Sequence, residues 1–384
     1  MLRPAALLFA LVTTLAHAGG ADAQIAVSAN DAKLTLVDGV TTVVPKPPPD
    51  TVTILDLGVS PPKVLGELQV PTAIIGPPES VAIAPDESIA LVTSAAKVDP
   101  ADPTRTIPDD RVTVIDLRAS PPAVVATLQA GAGASGVSIN PAGTLAIVAN
   151  RIAGTLSVFT IAGRTVKPVG TVDLGAPESG PCLAVFTRDG RTALVTRNND
   201  SLISILAVDG SKVTYTKQDF ATGLKPYSIQ VSPTAPVAIV AHVGAGPTGG
   251  ADTITVVDLA LTPPRAVEHA TVGPTAEGIA ISHDGKHVAV TVMDNTNAPK
   301  ASPFFNPAGR LRVFSIGDRT LAHVADAAVG RWCQGAAWSR DGRTLVVQCA
   351  ADRELQVFGF DGRQLTRTGS IKTSGGPSGI RTAD

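Results

Sequence analysis

The chain has 384 residues, a formal net charge of −2 and only 3% aromatic residues, set against 36 Gly and 31 Pro. Near-neutral charge without Lys/Arg clusters argues against nucleic acid or an anionic membrane surface as partner. Abundant Gly, Pro, Val, Ala and Thr favour short strands and tight turns over helices.

The N-terminus comes first. Arg3 supplies a positive flank, and residues 5–15 form an apolar run too short to cross a bilayer. Two small-x-small patterns follow, Ala16-His17-Ala18 and Ala21-Asp22-Ala23. Residues 1–23 therefore read as a signal peptide cleaved after 18 or 23, without the following Cys that a lipid anchor needs. Residues 24–384 read as one domain of a periplasmic or secreted protein. No later apolar run is long enough for a membrane span.

Past the leader, a strand-turn-strand unit recurs. Val81-Ala82-Ile83-Ala84-Pro85-Asp86 precedes Ile89-Ala90-Leu91-Val92-Thr93, and Val137-Ser138-Ile139-Asn140-Pro141 precedes Leu145 to Asn150. Turns at Asp189-Gly190, Asp284-Gly285 and Asp341-Gly342 mark three more copies, and Ser232-Pro233-Thr234-Ala235 a degenerate one. Third strands ending in Asp-Leu and a Pro-Pro connection precede a fourth strand, as in Asp116-Leu117 and Pro121-Pro122. Four antiparallel strands repeating at roughly 50-residue intervals are the pattern of propeller blades.

Aligned first strands place Val81, Val137, Ala184, Ile229, Ile279, Ala336 and Ile380 at one position. Ile380 opens a repeat that the chain does not continue, whereas Ile25 to Asn30 matches a second strand. The predicted fold is an all-β, seven-bladed β-propeller, its ring closed by the C-terminal strand in the N-terminal blade.

These repeats resemble YVTN-type propellers, and more distantly the lactonase-like propeller group. The carrying residues are Ile147-Val148-Ala149-Asn150 with Gly154 to Phe159, and the Asp-Gly turns. The resemblance implies an exported bacterial or archaeal protein. Lactonase-like members usually carry a His where a first strand starts. The matching positions here are Glu79, Ser135, Cys182, Tyr227, Glu277, Gln334 and Ser378. None is His, and this departure favours binding over lactone chemistry.

In a propeller the N-terminal ends of first strands share a face with the second-to-third-strand loops. That face receives insertions at residues 40–50, 98–110, 244–252 and 294–309. Glu79, Asn150, Arg197, His242, Glu277, Arg331, Trp332 and Gln334 form the candidate ligand site there. Arg197 beside His242 could hold an acidic group and move a proton. Glu79 and Glu277 could offer oxygens to Ca²⁺, but no dense Asp/Asn cluster accompanies them, so neither a metal nor another cofactor is expected. No nucleophile elbow, zinc or haem spacing occurs. The leading expectation is an envelope binding or scaffold protein for a small molecule or envelope protein. The alternatives are a lactonase-like hydrolase or isomerase acting on a small acidic lactone, and an accessory subunit of a periplasmic redox system.

Three Cys allow at most one internal bridge. A three-residue loop Arg340-Asp341-Gly342 sets Ser339 opposite Arg343, Ala337 opposite Leu345 and Cys333 opposite Cys349. That register predicts a Cys333–Cys349 disulfide and leaves Cys182 a buried thiol.

Overall fold

The computed structural model describes residues 23–383; the predicted leader, except for Ala23, lies outside them. Seven four-stranded antiparallel sheets form the blades of a ring. Blade 1 combines Gly376–Thr382, Ile25–Asp31, Thr51–Asp56 and Lys63–Gln69. Blade 2 runs from Val81–Ile83 through Ile89–Thr93 and Arg111–Asp116 to Ala123–Gln129. Blades 3 to 7 follow in the same order, with first strands Ala134–Ile139, Pro181–Phe186, Pro226–Val231, Ala276–Ile281 and Cys333–Trp338.

The core lies between blades, where alternating Val, Ile, Leu and Ala from facing sheets meet. Ile147, Leu156 and Val158 of blade 3 pack on Ala184, Phe186 and Val195 of blade 4, and each later interface repeats the pattern. Trp338 adds a polar tie between blades 7 and 6 by donating its indole N–H to the Ala280 carbonyl at 2.9 Å. Each Pro-Pro connection begins with a cis peptide, at Pro61, Pro121 and Pro263.

Closure follows the expected pairing. Ile380 stands opposite Ser28, and Gly376–Thr382 is buried along its whole length. Removing residues 376–384 strips blade 1 of its inner strand and exposes two edges. The truncated protein is expected to lose several kcal/mol of stability. An unchanged melting temperature would contradict closure by this strand.

The first-to-second-strand turns differ from the three-residue loop inferred above. Ser339 donates to the Thr344 carbonyl across four residues, and Gly342 donates back to the Ser339 carbonyl. Gly342 adopts φ +68°, which glycine accepts without cost. Trp338, rather than Ala337, therefore faces Leu345. A β-bulge at Gln334-Gly335 then restores the register, so that Cys333 still faces Cys349, and the two form a disulfide. Two departures of one residue cancel. Thiol titration of unfolded, unreduced protein is expected to find one reactive thiol, Cys182; three would contradict the bridge.

The bulge recurs. Register shifts interrupt the first strand between Ala134 and Val137, Pro181 and Leu183, Pro226 and Ile229, and Ala276 and Gly278. In blade 1 the same shift leaves Ser378 unpaired. Bulged residues fall out of the alternation and can be re-aimed, here toward the ring axis. Glycine accompanies them because neighbouring first strands approach closely: a Cβ on Gly136 would stand 2.5 Å from the Cys182 carbonyl oxygen.

Candidate functional site at the channel

The bulges and the start of blade 2 bring Glu79, Ser135, Cys182, Tyr227, Glu277, Gln334 and Ser378 to equivalent places around the channel. All seven are buried. Glu79 is 1% exposed and Glu277 5%, so the two acids lie inside the channel and not at an open mouth.

Their contacts cross the channel. Ser228 of blade 5 donates its hydroxyl to Glu79 Oε1, and Arg381 of the closing strand pairs with the same oxygen at 3.4 Å. Arg151, just past the second strand of blade 3, reaches sideways. Its guanidinium donates to Cys182 Sγ and, at 3.1 Å, to Asn198 Oδ1. It lies 5.6 Å from the ring centre of Tyr227. Asn198 is held in turn by donating to the Pro226 carbonyl.

The Glu277 carboxyl has no hydrogen-bond partner among the described residues and lies in the buried strand Ala276–Ile281. Burial, reinforced by the charge of Glu79 and only partly offset by Arg151, pushes its carboxyl up to about 8 from an ordinary 4.5. At neutral pH it keeps its proton. Burial, then Glu277, raises the Tyr227 phenol well above its usual value. Burial likewise pushes the Cys182 thiol up to about 11, so it is no nucleophile at neutral pH. Ser135 Oγ and both amide atoms of Gln334 are buried without a partner. Such groups in one polar layer call for water or ligand.

The remaining expected site residues lie elsewhere. Asn150, Arg197 and His242 do share equivalent second-strand ends, yet each is bound within or beside its own blade. Asn150 donates to Thr155 and Ser157 at 3.0 Å. Arg197 pairs with Asp200 and with Asp219 at 3.4 Å. His242 spends Nδ1 on the Thr253 carbonyl at 2.8 Å and Nε2 on Thr222 at 3.0 Å. Burial, against the Thr253 bond, lowers its pKa to about 4 and keeps it neutral. These residues clip strands together, and no hydrogen bond or ion pair joins Arg197 to His242. Arg331 pairs with Asp352 at 3.2 Å on the surface. Trp332 is buried with Leu34, Ile74, Met293 and Ala350, under the hairpin Leu34–Val37/Val40–Val43. Of the expected set, Glu79, Glu277 and Gln334 share the channel layer. Arg151, Asn198, Ser228 and Arg381 were not anticipated, because their reach between blades leaves no mark in the repeat.

The insertions interlock above this layer. Asp38 at the tip of the 34–43 hairpin accepts from the Lys300 backbone N–H at 2.7 Å. Phe304 packs against Gly249 of the neighbouring insertion. Among the described residues no group of His, Cys, Asp and Glu could hold a metal ion, and no helix is long and apolar enough to cross a membrane.

No family model and no curated protein matches this sequence. Solved structures do resemble it. A 6-phosphogluconolactonase candidate from Bacteroides fragilis superposes with a TM-score of 0.70 at 16% identity, covering 94% of this chain and 99% of that one. A periplasmic gluconolactonase from Pseudomonas aeruginosa gives 0.69 at 16% identity, with the same coverages. Hydrazine synthase from Kuenenia stuttgartiensis gives 0.60 at 15%, covering 81% and 91%. In fold, this chain is a seven-bladed propeller similar to lactonase-like propellers.

Proposed function

We propose that this protein is an exported lactonase-like hydrolase that opens a small lactone at the polar layer of its channel. The carrying observation is the pair of carboxyl groups from nearly opposite blades. Glu277 keeps its proton, while Glu79 is the carboxylate of an ion pair with Arg381. Two carboxyls whose environments set them in different protonation states are suited to acid and base roles.

Lactone hydrolysis adds water to the carbonyl carbon and breaks the ring C–O bond. Glu79 would take the proton of the attacking water. Arg151 would stabilise the negative oxygen that develops on the carbonyl. Glu277 would give its proton to the departing ring oxygen, and Gln334 and Ser135 would hydrogen-bond substrate hydroxyls. The gluconolactonase-like neighbours support lactones as the class to test, and the periplasmic one supports export.

Acid release from a panel of sugar, aliphatic and aromatic lactones, corrected for spontaneous opening, provides the test. At least one lactone is expected to open faster with protein present, with activity falling as pH rises through about 8. Glu277→Gln and Arg151→Met should each lower kcat/KM by about 10²- to 10⁴-fold. Absence of release across the panel, or variants as active as the parent, would overturn the assignment.

A second reading, an envelope-binding protein, is favoured by the interlocked insertions. Val37, Val40 and Phe304 are exposed on them, at 55%, 62% and 50%. Charged substitutions at these three positions would abolish partner capture but leave lactone opening intact.

Glu277 also has a signature independent of activity. Its folded pKa lies above its unfolded value, so the unfolded chain releases the proton first. Stability should therefore fall as pH rises from about 4.5 to about 8, and level off above. Glu277→Gln removes this loss, a gain of at most about 5 kcal/mol on the alkaline side. A stability difference that does not vary with pH would contradict the buried, protonated state.

A further inference from the structure

Beyond the polar layer the channel changes character. The C-terminal halves of the first strands enclose a cavity of about 290 Å³. Its rim includes Pro85, Pro141, Pro233 and His283, all in first-to-second-strand turns. It therefore opens on the short-turn face, opposite the insertions.

The apolar part of the wall is made by Ile83, Ile139, Val231, Ile281, Phe186 and Trp338, and polar side chains such as Asn140, Gln230 and Ser282 are interspersed with it. The ionisable residues of the lining are Arg188, His283 and Arg381, with no Asp or Glu among them. Arg188 donates to the Thr234 carbonyl at 3.1 Å, and His283 meets the Gln24 amide at 2.9 Å. Arg381 is nearly buried, and its guanidinium has one polar contact among the described residues, the 3.4 Å pairing with Glu79. A guanidinium has five N–H donors in a planar fork, so most of its donors stay uncommitted at the inner end of the cavity.

We propose that this well binds an amphipathic anion, a short- or medium-chain aliphatic carboxylate. Its head sits on Arg381, and its chain lies along the Ile and Val walls. Arg188 at the rim adds a second positive charge. The volume suits a small ligand, near the lower limit of ordinary pockets. Arg381 would serve two faces at once, holding Glu79 on one side and the ligand on the other. The inference does not depend on lactone hydrolysis, since binding to the well can be measured without turnover.

Calorimetric titration of the mature protein with sodium octanoate, hexanoate and octanol tests it. Octanoate is expected to bind saturably, one per chain, with roughly fourfold tighter binding for each methylene beyond hexanoate. Octanol should bind at least about tenfold more weakly, having no charge for Arg381. Arg381→Met should erase the preference for the carboxylate, and Val231→Phe should abolish binding by filling the well. Should Arg381→Met fail to fold, the octanoate–octanol comparison and Val231→Phe decide. No saturable octanoate binding at millimolar concentration, equal binding of octanoate and octanol, or undiminished binding to folded Val231→Phe would overturn the proposal.

Discussion

The antiparallel pairing of Ile25–Asp31 with Gly376–Thr382 is the constraint on which the channel depends. It joins the two ends of the chain and converts a row of blades into a ring. Only in a closed ring do seven first strands point at one axis and shield one another's bulged residues from water. The closing strand also brings Arg381, the counter-charge of Glu79, to the junction of the polar layer and the well. Closure thus contributes both a mechanical lock and a charge. Glu277 illustrates the consequence. On an open surface its carboxyl would ionise near its ordinary value; surrounded by six other blades and facing Glu79, it holds its proton to about 8.

The second constraint is the bulge. In a regular strand every other side chain would face a neighbouring blade and serve the core. One extra residue at the start of the first strand releases Ser135, Cys182, Tyr227, Glu277, Gln334 and Ser378 from that duty. The same shift sets Cys333 against Cys349, where the bridge anchors blade 7 beside Gln334. The fold spends local irregularity at the channel and keeps strict alternation elsewhere.

The repeat made much of this legible from the amino-acid sequence. Strand order, the split blade and the equivalence of the positions from Glu79 to Ser378 all follow from aligning one motif with itself. What failed was information that alignment does not hold. The hairpin loop was one residue longer than its Asp-Gly suggested, and the bulge that compensates has no signature of its own. Arg197 and His242 looked like a pair because they occupy equivalent ends, but Asp219 and Thr222, which engage them, lie at the end of a fourth strand and just beyond it. Arg151 and Arg381 reach across blades, so their roles depend on side-chain length rather than periodicity. The well was missed for a related reason: long insertions drew attention to one face, while the opposite mouth is built from the shortest turns.

The channel is divided by polarity into a buried polar layer and the well, with Arg381 between them. The polar layer holds two buried carboxyl groups in unlike surroundings: Glu79 is paired with Arg381 and accepts from Ser228, while burial and the charge of Glu79 raise the Glu277 carboxyl to about 8. The most direct measurement is a carbon-13 titration of protein labelled at its glutamate carboxyl groups, with Glu277→Gln used to assign the signal. A Glu277 carboxyl that titrates near 8 and responds to Glu79→Gln by shifting downward is the expected result. A titration near 4.5, or one indifferent to Glu79, would contradict the buried acid on which the functional assignment rests.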